Sequence, residues 1–135
     1  MAGFFTDYSN GKALDLFLGA VPYTPPSILY VGLAQNSANK GGLAAEPIGG
    51  SYSRVALPNS AVNFPSAISG AKSNASVITF PSPTGDWGTV QSLFLADGPS
   101  GGNVLAMADL TAPKSITNGS SAAKVAVGAL FLSHA

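Results

Sequence analysis

No cysteine occurs among the 135 residues. That absence removes disulfide scaffolds, thiolate zinc sites and cysteine nucleophiles together. Charge is scarce as well: six Lys plus Arg balance six Asp plus Glu, only 9% of the chain, where globular domains carry about 25%. The basic residues Lys12, Lys40, Arg54, Lys72, Lys114 and Lys124 stand singly, so no basic stripe exists to displace counterions from a nucleic-acid backbone. Disorder does not follow, because it needs low hydrophobicity with high net charge, and here the net charge is zero and the mean hydropathy +0.30. Long apolar runs are also missing. Residues 13–21 are interrupted by Asp15 and fall short of the roughly 18 residues of a membrane helix, and with only Lys12 before them and no convincing cleavage site they do not read as a signal peptide. Met1 is therefore expected to begin a product without membrane partners, one that leaves the cytosol only inside or upon something larger.

What the chain does contain is punctuation: 16 Gly and 10 Pro between short apolar segments. Ser9 is placed to cap one helix, in which Ala13, Leu14, Phe17 and Leu18 form an apolar stripe and Gly19 supplies the stop. Residues 1–20 are thus a helical segment. Pro22, Pro25 and Pro26 then forbid helix and favour extended backbone. Strands are expected over residues 28–34, 52–57, 75–80, 89–96, 103–110 and 124–132, at the spacing of a sandwich or barrel. The fold class is mainly β: one domain over 1–135, an antiparallel β-sandwich or jelly-roll-like fold with one short N-terminal helix. Residues 35–51, rich in Gly and Asn, form a long surface loop, the expected mobile or partner-contacting segment.

Alternation along these strands is incomplete. In 124–132, Val125, Val127, Ala129 and Phe131 would share one face while Ala126, Gly128, Leu130 and Leu132 occupy the other, and neither is polar. Residues 89–96 and 28–34 are likewise apolar on both sides. A small two-layer domain buries one face per sheet, so a second cover is required; the N-terminal helix and another copy of the protein are the expected covers.

Catalytic constellations are hard to assemble from these residues. The one histidine, His134, is penultimate, with nothing to orient it as a base. Asp86, beside Trp87, lies in a turn cluster where Asp commonly bonds backbone amides; a glycan hydrolase would need it to meet Asp97 or Asp109 across one bond. Residues 97–103 lack the Lys of a phosphate-binding loop and read as a hairpin connection, as does Asn118-Gly119. The Asn-x-Ser matches at Asn74 and Asn118 carry no glycan meaning without secretory export, and no calcium loop is present. No enzyme, cofactor or metal is expected.

The order of motifs is nevertheless distinctive. It runs from Leu14-Asp15-Leu16-Phe17-Leu18-Gly19-Ala20 through Pro22-Tyr23-Thr24-Pro25-Pro26 and Leu29-Tyr30-Val31-Gly32-Leu33 to Gly50-Ser51-Tyr52-Ser53-Arg54. Asn74-Ala75-Ser76-Val77-Ile78-Thr79-Phe80-Pro81 leads into Trp87-Gly88-Thr89-Val90, followed by Phe94-Leu95-Ala96-Asp97 and Ser100-Gly101-Gly102-Asn103-Val104-Leu105. Over nearly the whole chain this resembles a family of small tailed-bacteriophage virion proteins commonly labelled phage tail fibre proteins. The resemblance implies a structural role in the virion. Two forms of that role are expected: a capsid decoration or cement protein, expected to form trimers that seat on the major capsid protein, and a small tail-fibre or baseplate component touching the host surface. The absence of stalk heptads or repeated β units favours decoration. Trp87 is expected to anchor the core with its N–H bonded, and Arg54 to stack on an aromatic or clamp a carboxylate such as Asp97. Tyr52, Phe94, Phe17 and Leu18 complete the structural and interface candidates, and Tyr23, Tyr52 and Trp87 are the aromatics available to a glycan.

Overall fold

The computed structural model describes residues 1–133, so His134 lies outside the described residues. Strands account for 36% of the chain against 8% helix, which bears out the mainly β expectation. In chain order the elements are β1 (Ala2–Phe5), α1 (Asp7–Phe17), β2 (Ile28–Ala34), β3 (Val55–Pro58), β4 (Ala71–Ser73), β5 (Ile78–Thr79), β6 (Gly88–Ala96), β7 (Val104–Ile116), β8 (Lys124–Val125) and β9 (Phe131–Ser133). Seven strands form one curled sheet in the order β3-β2-β6-β7-β1-β9-β4, antiparallel except where β1 runs parallel to β9, and β5 pairs with β8 in a separate ribbon.

The main core lies on one face of this sheet. Val31, Leu33, Leu93, Leu95 and Ala108 pack there with Trp87, Ile116 and Leu130, and the small ribbon adds Ile78 and Val125. Val90 joins them because the β6–β7 ladder slips between Val90 and Ser92. Gln91 stands alone there against residues 110–113 of β7, and the slip resets the pleat and moves Val90 to the opposite face from the one strict alternation assigns it. The same irregularity lets β7 run past Pro113, which needs no ladder bond in that stretch.

The opposite face is apolar too, as the alternation required, and its cover in this chain is the long loop and not the helix. Ala34, Phe94, Ala96 and Met107 are buried there beneath Ala38 and Ala44 of the long loop. Residues 35–51, expected to be mobile or partner-contacting, are stitched down. Asn36 Nδ2 donates to the Leu43 carbonyl at 2.7 Å, the Ala45 amide returns a bond to Asn36 Oδ1 at 2.7 Å, and the Ala38 amide donates to Asp109 at 2.8 Å. Ser92 Oγ, fully buried, donates to the Asn36 carbonyl at 2.7 Å. Gly32 sits opposite Phe94, and a Cβ at Gly32 would strike the Phe94 ring.

Several expected spans change: 75–80 contracts to Ile78–Thr79 of the separate ribbon, 103–110 runs on to Ile116, and the 1–20 helical segment opens with strand β1. The stretch 124–132 is two strands in different sheets, because Gly128 turns the chain at φ +74° and buried Asn74 holds that turn. Asn74 donates to the Ala126 carbonyl at 2.9 Å and accepts from the Leu130 amide at 3.0 Å, so its side chain is structural. The helix starts at Asp7 with Thr6 as N-cap, whereas Ser9 Oγ donates to the Leu105 carbonyl at 2.7 Å. Strand 52–57 begins only at Val55, since Ser51 at φ +64° turns the preceding residues inward.

Two glycine replacements separate these environments. Gly32→Ala overpacks the second face and is expected to destabilise by about 1–3 kcal/mol. Gly11→Ala, inside α1 with open space around the added methyl, should stabilise by about 0.5–1 kcal/mol through helix propensity. Thermal melts of the two variants give both signs.

Candidate functional surface

The only arginine and the only glutamate of the chain meet. Arg54 Nη2 lies 2.6 Å from Glu46 Oε1 and Nε lies 3.1 Å from Oε2, a two-pronged pairing with 5% of the arginine side chain exposed. Nη1 donates to the carbonyls of Gly98 at 2.7 Å and Gly101 at 3.0 Å, and the guanidinium sits 5.0 Å from the centre of the Phe94 ring. The stacking expectation for Arg54 is met. Its expected carboxylate, Asp97, is not the partner: Asp97 accepts instead from the Asn103 amide at 2.8 Å and closes its own hairpin, leaving Glu46 to take the guanidinium. Glu46 was not singled out from the sequence, although its being the chain's one glutamate, eight residues before the one arginine, was available as a signal.

Tyr52 extends this contact toward the core. Its hydroxyl donates to Glu46 Oε2 at 2.7 Å and accepts from the Leu33 amide at 3.0 Å, and its ring meets Trp87 edge to face at 5.2 Å. Trp87 Nε1 donates to the Gly50 carbonyl at 2.8 Å. The indole is 1% exposed, so it anchors the fold as expected and offers no platform to a glycan. Burial raises the Tyr52 phenol well above its ordinary value, and the bond to Glu46 raises it further. For Glu46, burial acts upward, but the bonds from Arg54 and Tyr52 and the nearby positive charge outweigh it and hold the carboxyl below its ordinary value.

The carboxylates considered for hydrolysis do not converge. Asp86 and Asp97 bracket β6, which at about 3.3 Å per residue sets them roughly 30 Å apart; paired hydrolytic carboxylates stand roughly 5–10 Å apart. Each is tied to a different segment: Asp86 accepts from the Asn118 amide at 2.9 Å and Asp109 from Ala38. No group of three or more metal-ligating side chains occurs among the described residues.

Open surface is concentrated elsewhere. A groove of about 460 Å³ runs between α1, the proline-rich segment and the sheet, with Leu16, Tyr23, Pro25, Leu29, Phe64 and Leu132 among its walls. Desolvation on this wall raises the Tyr23 phenol, with Tyr8 and Asp97 adding to the effect. Above the groove α1 buries none of its residues, and Phe17 and Leu18 are 81% and 74% exposed. Of the seven structural and interface candidates, Trp87, Tyr52, Arg54 and Phe94 form one internal cluster, Asp97 braces the adjoining hairpin, and Phe17 and Leu18 alone stand at an open surface.

Residues 4–133 match the model of the family described as podophage GP4 fiber I protein gp80. The chain belongs to this family. Membership bears out the resemblance read from the motifs and makes the protein a phage virion component of structural type. No curated protein matches the chain. Among the described residues of this fibre-family protein, no helix is long and apolar enough to cross a membrane.

Removing the clasp tests its weight in the fold. Arg54→Ala strands Glu46 beside a dry aromatic face and is expected to cost about 2–4 kcal/mol in chemical denaturation; Arg54→Lys keeps the charge but loses the fork and recovers only part. Because the folded pKa of Glu46 is depressed, its contribution is complete above the ordinary value near 4.5 and is lost as pH falls through the lower folded value. Glu46→Gln should flatten that acid limb in a pH series of melts.

Proposed function

We propose that the protein is a small fibre-type component carried on the phage tail, acting through binding surfaces and not through catalysis. The family match over residues 4–133 carries this reading, and it favours the fibre over capsid decoration, the role that the missing stalk suggested. A fibre protein of this size need not project by itself. It serves as a rigid globular piece within a longer assembly, and the chassis described above suits that use. The second face of the central sheet is covered by the chain's own long loop, the hydrolysis candidates Asp86, Asp97 and Asp109 are engaged in backbone bonds, and an open apolar groove with exposed Phe17 and Leu18 beside it lies at α1.

Purified virions decide between the two locations. Antibody-gold labelling and quantitative mass spectrometry are expected to find few copies, confined to the tail. Copies spread over the head in numbers comparable with the major capsid protein would overturn the fibre reading in favour of decoration.

A further inference from the structure

Helix α1 is an anomaly in this fold. Isolated helices of 11 residues are marginal in water, and helices in proteins draw most of their stability from a buried face; α1 has no fully buried residue, its N-terminal half being half-buried with Tyr8 on the core and its C-terminal half exposed. Its inner side, with Ser9, Lys12, Ala13, Leu16 and Phe17 at helical spacing, borders the groove but does not fill it. Its outer edge presents Leu14 and Leu18 beside Phe17, at 56%, 74% and 81% exposure. A knob and an unfilled hole therefore lie side by side on one patch.

Charge narrows what fits. The chain is neutral overall, yet the residues lining the groove include Lys12 and Lys72 and no Asp or Glu. Lys12 lies 5.4 Å from the Tyr8 ring and Lys72 donates to the Phe64 carbonyl at 3.4 Å; among the described residues neither forms an ion pair, the one salt bridge being Arg54 with Glu46. The groove thus asks for an apolar segment bearing a carboxylate. Leu14-Asp15-Leu16-Phe17-Leu18 is such a segment, and Asp15 also lacks an ion-pair partner among the described residues.

We propose that the groove is filled by α1 of a second copy of this chain. Phe17 and Leu18 of one copy sit against Leu29, Phe64 and Leu132 of the other, and Asp15 faces Lys12 and Lys72. Because knob and hole share one patch, two copies related by a two-fold axis satisfy both patches at once, and zero net charge leaves no long-range repulsion between them.

Sedimentation velocity from about 1 to 100 μM tests this, the upper limit reaching even weak association. The wild type is expected to associate. Phe17→Glu should yield a folded monomer whose Tm no longer rises with protein concentration, since the side chain it replaces is exposed in the single chain. Asp15→Lys and the Lys12→Glu/Lys72→Glu double variant should each weaken association at least roughly 30-fold, and combining all three changes should restore it. A wild type that stays monomeric at the highest concentration overturns the proposal and gives the groove to another occupant, such as an acyl chain or a different virion protein. Association that survives Phe17→Glu, or that the combined charge reversal fails to restore, overturns it as well. Particle location is a separate result: a monomer found on the tail refutes this surface and leaves the fibre reading, and a self-associating protein found on the head does the reverse.

Discussion

The second face of the central sheet is closed by one ion pair. Phe94 is fully buried on that face although no strand or helix of this chain lies over it; what lies over it is a loop, and the loop is fastened where Glu46 meets Arg54. The guanidinium simultaneously caps the Phe94 ring and takes two carbonyls of the hairpin after β6. Loop, sheet and hairpin are therefore set by a single planar group whose donors point three ways. A lysine, with its compact ammonium, has no equivalent geometry. The connection onward through Tyr52 to Trp87 and Gly50 joins this outer layer to the main core, so the two faces of the sheet are coupled through side chains as well as through the strands between them.

Much of this was legible in the residues, and the failures have identifiable causes. Strands rich in β-branched and aromatic residues and bounded by Gly or Pro, 28–34 and 89–96, were placed within one residue, because period and punctuation agreed there. The run 124–132 misled because an apolar stretch carries no mark of the buried Asn74, 50 or more residues away in sequence, that bends it. Strand β1 was overlooked since residues 1–20 read as one helical segment; in place Gly3 allows close packing, where a Cβ would press on Leu132 and Ala108. The need for a second cover was read correctly from the double apolarity, but the helix and another copy were the covers expected, the helix because amphipathic spacing usually means burial. Its stripe is split, Ala13 and Phe17 bordering the groove and Leu14 and Leu18 standing exposed, and the covering loop, low in hydrophobic residues, gave no sign beyond its length and its lone Glu46.

Scarcity of charge acquires a specific meaning here. Asp86, Asp97, Asp109 and Glu46 are each held by a backbone amide or the one arginine, and six positive side chains cancel six negative ones, which leaves no net charge to keep copies apart. A fibre-family protein built this way combines an interior with its polar groups well matched and an exterior that resists association weakly. Exposed apolar side chains also occur at Leu43, Ile48, Val62 and Ile68, but at α1 they adjoin an apolar groove, which gives contact there a defined address.

The position of β1 also bears on how the molecule is made. Gly3 pairs with Ala108 on one side and Leu132 on the other, so the strand of this sheet that is made earliest lies between two that are made late. Its two edges stay without their partners through most of synthesis, and the sheet closes only after residues 131–133 have emerged. Long-range pairing of this kind makes folding slow, and an unpaired strand edge is open to wrong partners while it waits. Polysomes crowded with nascent copies would be the place where this chain is most exposed to misassembly, before any virion exists to receive it.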